Sequence, residues 1–196
     1  MISNPVPEIP RLRGPVPLAH LVLRTHLREG DLAVDATCGN GHDTLLMAEL
    51  VGNTGRVWAF DIQEQAIQRT AARLAEFGLA ERVKLLHKGH ETMFEHVSGG
   101  LGAVVFNLGY LPGGDQSVIT RPETTLAAFE QTVGLLRPGG ILAVSVYPGH
   151  DGGASERRTV DAWAAGLAPQ AFHAWRMGQL NVPASAPYFV LVQKVA

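Results

Sequence analysis

The chain has 196 residues, of which 46% are hydrophobic and 17% charged, and its formal net charge is −2. This size fits a single domain, because one core can grow to roughly 250 residues before a chain divides. The composition is that of a globular protein, and the near-neutral charge excludes the diffuse basic surface of a nonspecific nucleic-acid binder, though not a local basic patch. The single cysteine, Cys38, excludes an internal disulfide framework and indicates a reducing compartment.

The N-terminal segment predicts an extended arm over residues 1–17. It is punctuated by prolines and lacks the apolar core of a signal peptide. No apolar stretch in the chain approaches the ~20 residues of a membrane span. We therefore expect a cytoplasmic protein.

After this arm, segments with helical and strand patterns alternate along the chain. In chain order they are a helix (18–29), a strand (31–38), a helix (42–51), a strand (56–62), a helix (64–78), strands (83–87 and 101–107), a helix (122–136), a strand (138–147) and a helix (154–166). Two further segments, 171–178 and 187–195, predict a hairpin added to the sheet edge. This alternation is typical of a parallel, doubly wound sheet in a Rossmann-like α/β domain.

The loop after the first strand has features of a nucleotide-binding turn. Asp35 lies at the strand end, and Gly39 and Gly41 follow in the turn before the next helix. Glycines there permit a sharp turn and close approach of a ligand, although turn geometry alone can also require them. Asp61, at the end of the second strand, can accept hydrogen bonds from ribose hydroxyls or cap the next helix. Together these features favour a nucleotide-like ligand.

The charges of this loop favour a cationic ligand over a dinucleotide. The third glycine of a dinucleotide motif is absent, and Asp35 and Asp43 would repel a pyrophosphate. S-adenosylmethionine carries cationic amino and sulfonium groups and no phosphate, so it matches these carboxylates better. The loop resembles the first motif of class I methyltransferases, with Thr37 where many of them carry glycine. His90 lies where that fold contacts adenine, or is an ordinary surface histidine.

The fourth strand ends in the segment "NLGYLPGGD" (107–115), which should face the same crevice because the strand order reverses between the first and fourth strands. The spacing of Asn107 and Tyr110 resembles the Asn/Asp-Pro-Pro-Tyr motif of amino-group methyltransferases, with leucine and glycine in place of the prolines. Asn107 can accept hydrogen bonds from an amine, while Tyr110 stacks on a base or packs against the amine. Asp115 can orient or deprotonate a cationic amine, or serve only as a turn residue. We expect Thr120 to cap the following helix.

From about residue 15 to its C-terminus the chain resembles the rRNA methylase family, whose members are understood to methylate the wobble uridine of tRNA. The motifs that carry this resemblance are "DATCGNGHDT", "NLGYLPGGD", "TRPETTLAAF" and "PGH.GG..E" (148–156). The resemblance implies a class I methyltransferase domain over residues 18–196, with a mostly parallel seven-stranded sheet, helices on both faces and S-adenosylmethionine as cofactor. It also implies transfer of a methyl group to the aminomethyl group of a wobble 2-thiouridine. The partner would be the anticodon region of tRNA, with no metal and no membrane involved.

The same resemblance assigns site residues position by position. It implies Asp35, Thr37, Gly39, Asn40, Gly41, Asp43 and Thr44 for the donor, Asp61 and Gln63 for the ribose, His90 for adenine, Asn107, Gly109 and Tyr110 beside the transferring methyl, and His150 in a substrate-side loop.

Other functions remain open at this stage. A nicotinamide-dependent oxidoreductase would need the missing glycine and room for a substrate domain. A noncatalytic RNA-binding module would bind the cofactor without turnover, and the same fold can serve an rRNA or small-molecule methyltransferase. The oligomeric state is also open, a homodimer included. Arginines that can contact phosphates, or simply form solvated faces, are Arg11, Arg13, Arg24, Arg28, Arg157 and Arg158.

Overall fold

The computed structural model describes residues 12–114, 117–149 and 152–195. Its strands are β1 (Leu32–Asp35), β2 (Arg56–Asp61), β3 (Val83–His87), β4 (Leu101–Leu108), β5 (Leu136–Val146), β6 (Phe172–Met177) and β7 (Tyr188–Lys194). Its α-helices are α1 (Pro15–His26), α2 (His42–Val51), α3 (Glu64–Glu76), α4 (Pro122–Leu135) and α5 (Gly153–Gly166). Two short 3-10 helices, Ala80–Arg82 and His90–Glu95, flank β3.

The strands form one sheet in the order β3-β2-β1-β4-β5-β7-β6. The first five strands run parallel, whereas β7 is antiparallel to β5 and β6 is antiparallel to β7. This arrangement confirms the predicted mostly parallel seven-stranded sheet and the hairpin at its edge. The strand order reverses between β1 and β4, which is where open α/β sheets bind their ligands.

Helices cover both faces of the sheet, so that alternate residues of a central strand enter two different cores. Phe106 of β4 packs edge-on against Phe129 of α4, with ring centroids 5.0 Å apart, and Phe129 contacts Trp163 of α5. On the opposite face, Ala103 and Val105 pack with apolar residues of α1 and α2. Burial on both faces explains the near-continuous apolar run of β4.

Several element boundaries differ from the predicted ones. Helix α1 begins at Pro15 rather than residue 18, since proline is accommodated in the first turn of a helix. Helix α3 ends at Glu76, and Gly78 follows with a φ of +68°, allowing the N–H of Leu79 to bond the carbonyl of Leu74. In the part of the chain that the structure describes, no helix combines the length and apolarity needed to cross a membrane.

We expect Gly55→Ala to lower the free energy of unfolding by about 1–3 kcal/mol, because the added methyl group overpacks a closed site. Gly55 is buried directly before β2, and a Cβ there would lie 2.5 Å from the Cβ and carbonyl oxygen of Val51 and 2.6 Å from the carbonyl oxygen of Asp31. Denaturant unfolding measures the change. Gly166→Ala is the control, since a Cβ there has no atom within 4 Å. Equal stabilities of the two variants would contradict the prediction.

Candidate functional site

A cavity of about 1220 Å³ lies at the carboxyl ends of β1, β2 and β4. It exceeds the about 300–1,000 Å³ of ordinary small-ligand pockets, so it has room for a cofactor and a second reactant. Its walls come from the loops that follow these strands, from the segment 117–121, and from Val16 and His20 of α1.

The glycine loop, residues 36–41, is held in place by hydrogen bonds of its backbone to β2 and α3. Gly39 and Gly41 have φ values of +52° and +77°, which favour glycine. A Cβ on Gly41 would also lie within 2.9 to 3.1 Å of Thr70 atoms in α3. The N–H of Gly39 donates to Asp61 Oδ2 at 3.0 Å, and the Thr70 hydroxyl donates to the Gly39 carbonyl at 3.2 Å. The loop is therefore fixed against both β2 and α3.

Asp35 supports this loop from behind the cavity wall. It is fully buried, its Oδ2 accepts a 2.6 Å hydrogen bond from the Thr44 hydroxyl, and its Oδ1 accepts from the Thr37 N–H at 3.2 Å. Burial, followed by the nearby charge of Asp43, raises the pKa of Asp35 to about 7. Of the sequence-predicted donor residues, Asp35, Gly41 and Thr44 lie behind the wall, whereas Thr37, Gly39, Asn40 and Asp43 line it.

Asp61 and Gln63 line the cavity at the end of β2. Asp61 Oδ1 accepts a 2.9 Å hydrogen bond from the Gln63 N–H, and its Oδ2 accepts from Gly39, which leaves lone pairs on both oxygens for further donors. Burial raises the pKa of Asp61. The N-cap residue of α3 is Gln63, so the alternative in which Asp61 caps this helix is wrong.

His90 forms another part of the wall. It is buried, and its ring packs edge-on against Phe106 with centroids 5.4 Å apart. Nδ1 lies 3.3 Å from the carbonyl oxygen of Ala36, and Nε2 has no hydrogen-bond partner among the described residues. Burial lowers the pKa of His90, which keeps the ring neutral near pH 7.

Asn107, near the end of β4, is held at two of its polar atoms by the chain that follows β1. Its backbone N–H donates to Thr37 Oγ1 at 2.7 Å, which links β4 to the loop after β1. Its Nδ2 donates to Asp43 Oδ2 at 2.6 Å, and Asp43 Oδ1 is 2.5 Å from His20 Nε2. Its Oδ1 is buried and has no hydrogen-bond partner within the described ranges. The wall of the cavity therefore contains an unpaired hydrogen-bond acceptor, Asn107 Oδ1.

After β4, hydrogen bonds join Gly109 to Thr120. Gly109, with a φ of +139°, exchanges two hydrogen bonds with Thr120: its N–H donates to Thr120 Oγ1 at 2.8 Å and its carbonyl accepts from the Thr120 N–H at 2.9 Å. Tyr110 pairs with Ile119 in an isolated antiparallel bridge. The Tyr110 side chain is 44% exposed and lines the cavity, so it stands at the mouth.

The prediction that Thr120 caps α4 is wrong, because tertiary contacts take its hydroxyl group. The N-cap residue of α4 is Arg121, and the Thr120 hydroxyl donates to Glu156 Oε1 at 2.6 Å. Glu156 is buried in α5 and also accepts from the Thr125 hydroxyl at 3.3 Å. Two other predicted site residues, Asp115 and His150, lie outside the described residues.

Arg69 of α3 ties this loop to the glycine loop. Its guanidinium donates to Asn40 Oδ1 at 3.0 Å and to the carbonyls of Gly113 at 3.0 Å and Pro112 at 3.4 Å. Asn40 also donates to Pro112, and Arg73 donates to the Asn40 carbonyl. The two loops beside the cavity therefore share one set of hydrogen bonds.

Sequence reasoning missed His20, Arg69 and the Thr120–Glu156 pair. His20 and Arg69 sit in ordinary amphipathic helices, and their partners are 23 and 29 residues away along the chain. No local pattern marks such residues. Glu156 did lie within the quoted motif of residues 148–156, which was the available signal for it.

The electrostatics of the wall suit a cationic ligand. Asp35, Asp43 and Asp61 cluster around the glycine loop, and among the described residues no arginine or lysine forms an ion pair with them. A pyrophosphate would be repelled here, whereas a sulfonium or ammonium group would be attracted. The buried acceptor on Asn107 and the unpartnered ring nitrogen of His90 complete a polar lining that fits S-adenosylmethionine. Within the described ranges, no group of three or more His, Cys, Asp or Glu side chains is arranged to hold a metal ion.

Comparison with known proteins places this architecture among methyltransferases. Residues 57–193 match the family described as "Putative rRNA methylase". A chloroplastic protein of Arabidopsis thaliana, named tRNA (mnm(5)s(2)U34)-methyltransferase, is 41% identical over 187 residues, covering 90% of this chain and 68% of the relative.

Solved structures agree with this placement. The "putative rRNA-methylase" of Clostridium thermocellum superimposes with a TM-score of 0.91 at 40% identity, covering 95% of this chain and 100% of its own. A "putative methyltransferase" of Streptococcus mutans in complex with SAH gives a TM-score of 0.86 at 35% identity, with 94% and 100% covered. The class I methyltransferase fold and S-adenosylmethionine as cofactor, both expected from the sequence, are confirmed.

We expect Asp35→Asn to flatten the dependence of stability on pH. In the folded protein Asp35 titrates near pH 7, against 3.8 for the ordinary group. Between these values the folded state binds this proton and the unfolded state does not, so this group makes the protein less stable as pH rises. The unfolding free energy should therefore fall less from about pH 5 to about pH 8 in the variant than in the wild type. Parallel curves from denaturant unfolding would contradict the raised pKa.

Proposed function

The chain belongs to the family described as "Putative rRNA methylase" and is an S-adenosylmethionine-dependent methyltransferase, and from this premise we propose that it methylates the amino group of 5-aminomethyl-2-thiouridine at the wobble position of tRNA. The product would be the 5-methylaminomethyl form. The observation that carries the proposal is the buried, unpartnered Oδ1 of Asn107 at the carboxyl end of β4. The name of the Arabidopsis relative supports the same substrate.

S-adenosylmethionine supplies an electrophilic methyl group on a positively charged sulfur. In this chain, Asp61 and Gln63 would accept hydrogen bonds from the ribose hydroxyls, and His90 would contact the adenine ring. Gly39 allows the ligand to approach the backbone without meeting a Cβ. The carboxylate of Asp43 gives this side of the cavity the negative charge that a sulfonium requires.

The acceptor nitrogen must be neutral, held in line with the methyl group and separated from water. Asn107 Oδ1 can accept an N–H of the amine, which directs the nitrogen lone pair away from the side chain and toward the donor. Oδ1 is shielded from water in this structure. An amide oxygen accepts N–H groups regardless of what lies beyond the amine, so recognition of the base falls to other residues.

Tyr110 would recognise that base. A half-exposed aromatic ring at the mouth can stack on a pyrimidine extruded from the anticodon loop, worth about 1–3 kcal/mol. Lys88 and Arg121 are exposed, line the cavity and can contact phosphates. We propose that Asp115 and His150 act on the substrate and that Gly109 lies beside the transferring methyl.

The decisive experiment uses tRNA from cells that lack this protein. The purified enzyme is incubated with this tRNA and S-adenosylmethionine, and the digested nucleosides are identified by mass spectrometry. Loss of the aminomethyl nucleoside with equal gain of the methylaminomethyl nucleoside supports the proposal. Methylation of rRNA or of a small molecule alone, or cofactor binding without any turnover, would overturn it.

We expect Asn107→Ala to lower kcat by about a hundredfold, since a misplaced nucleophile costs this much. The dissociation constant of S-adenosylmethionine should stay close to that of the wild type, because Asn107 is assigned to the amine. Single-turnover kinetics and calorimetry measure the two quantities. Asn181→Ala, an exposed asparagine far along the chain, is the control. Abolished cofactor affinity in a folded variant would remove Asn107 from the amine site.

We expect Asp61→Ala to raise the dissociation constant of S-adenosylmethionine about tenfold or more, the scale of lost hydrogen bonds to a charged group. The measurement is calorimetric titration of the folded variant. Glu64→Ala removes an exposed negative charge three residues later and should leave the constant unchanged. If Asp61→Ala binds the cofactor as the wild type does, Asp61 is not part of the ribose site.

A further inference from the structure

We infer that His20 and Asp43 are positioning residues that fix the orientation of the Asn107 side-chain amide, so that its oxygen and not its nitrogen is presented to the acceptor amine. This role deepens the proposed function and rests on it. The resemblance to the family placed Asp43 in the donor site, and His20 was not assigned any role. The geometry points to a chain of contacts that runs from α1 through α2 to β4.

The contacts are close and largely buried. His20 Nε2 lies 2.5 Å from Asp43 Oδ1, and Asn107 Nδ2 lies 2.6 Å from Asp43 Oδ2. Asp43 is 6% exposed, and the His20 ring contacts its Oδ1. Asp43 Oδ1 thus contacts His20, and Asp43 Oδ2 accepts from Asn107.

The chemistry of the carboxylate determines the orientation of the amide. A carboxylate has no proton to donate, so only the NH₂ group of Asn107 can face Asp43 favourably, and Oδ1 must point the other way. The amide oxygen and nitrogen have nearly the same shape, so packing alone would not distinguish the two orientations. The backbone bond from Asn107 to Thr37 fixes the main chain but leaves the amide free to rotate.

A reversed amide would inhibit methyl transfer directly. Its NH₂ group would donate a hydrogen bond to the lone pair of the amine, and that lone pair must attack the methyl group. The correct orientation instead accepts an N–H and leaves the lone pair unoccupied. Asp43 therefore selects between a productive and an unproductive orientation of Asn107.

His20 holds Asp43 in the position that this selection requires. Without His20, Oδ1 of Asp43 would be an unpaired acceptor in the wall of the cavity, able to compete for the N–H groups of the amine. Helix α1 can supply this contact rigidly, since Ala19 and Leu23 on either side of His20 are buried against the sheet.

The kinetic test compares two substitutions of the same residue. We expect His20→Ala to lower kcat about tenfold or more, with the KM for tRNA and the dissociation constant of the cofactor within about twofold of the wild type. His20→Gln should recover most of the lost kcat, because a glutamine N–H can donate to Asp43. His26→Gln, on the same helix and outside the cavity lining, is the matched control and should behave as the wild type. A merely structural role would lower thermal stability in both His20 variants, with no recovery by glutamine.

A second readout does not need the substrate. The side-chain NH₂ signals of Asn107 in an ¹⁵N–¹H spectrum are identified by their loss in Asn107→Ala. We expect their exchange with water to be about tenfold faster or more in Asp43→Asn and in His20→Ala than in the wild type. Unchanged exchange in both variants, or an unchanged kcat in His20→Ala while the wild type methylates tRNA, overturns the inference. If the wild type methylates no tRNA but the exchange rates respond as expected, the proposed substrate fails and the contact chain stands.

Discussion

The hydrogen bond from the Asn107 backbone to the Thr37 hydroxyl holds together the two strand ends between which the cavity opens. The last backbone bond between them runs from the Ala36 N–H to the Val105 carbonyl, after which the two chains must diverge to leave room for a ligand. The Thr37 side chain continues the pairing one residue further. Glycine, which many class I methyltransferases carry at this position, has no side chain to make this bond. The departure from the common motif at Thr37 is therefore a structural feature of the site, because it sets where Asn107 stands relative to the glycine loop.

Around this link, three carboxyl groups have three different sets of partners. Asp35 is buried with two donors and a pKa raised to about 7, so its charge is partly suppressed near neutral pH. Asp43 is paired with His20, and Asp61 receives two backbone N–H groups. For Asp35 and Asp61 these partners offset only part of the cost of burial, since the pKa of each is raised. The negative potential that results faces the place where a cationic donor would lie, which is the electrostatic reason for the choice of cofactor.

The sequence was sufficient to predict the sheet and the glycine loop, because both follow from local patterns. The alternation of apolar segments predicts the strands. The glycines together with Asp61, at the end of the next strand, predict the ligand-binding turn. The orientation of the Asn107 amide could not be predicted in this way, because it depends on His20. In the sequence His20 is indistinguishable from any other polar residue of an amphipathic helix. Thr120 shows the opposite failure. Its position before α4 is typical of a cap, but its hydroxyl group instead accepts from the Gly109 N–H and donates to Glu156.

Contacts with neighbouring elements also explain how the described parts of the segment after β4, residues 109–114 and 117–120, are held without the two prolines of the related amine-methylating motif. Proline restricts a loop by its own covalent ring, whereas Gly109 restricts nothing. Here Arg69 of α3 binds the loop carbonyls of residues 112 and 113 from one side, and Glu156 of α5 holds Thr120 from the other. These described residues are thus held by contacts with neighbouring helices and not by the restriction that proline would impose on the backbone.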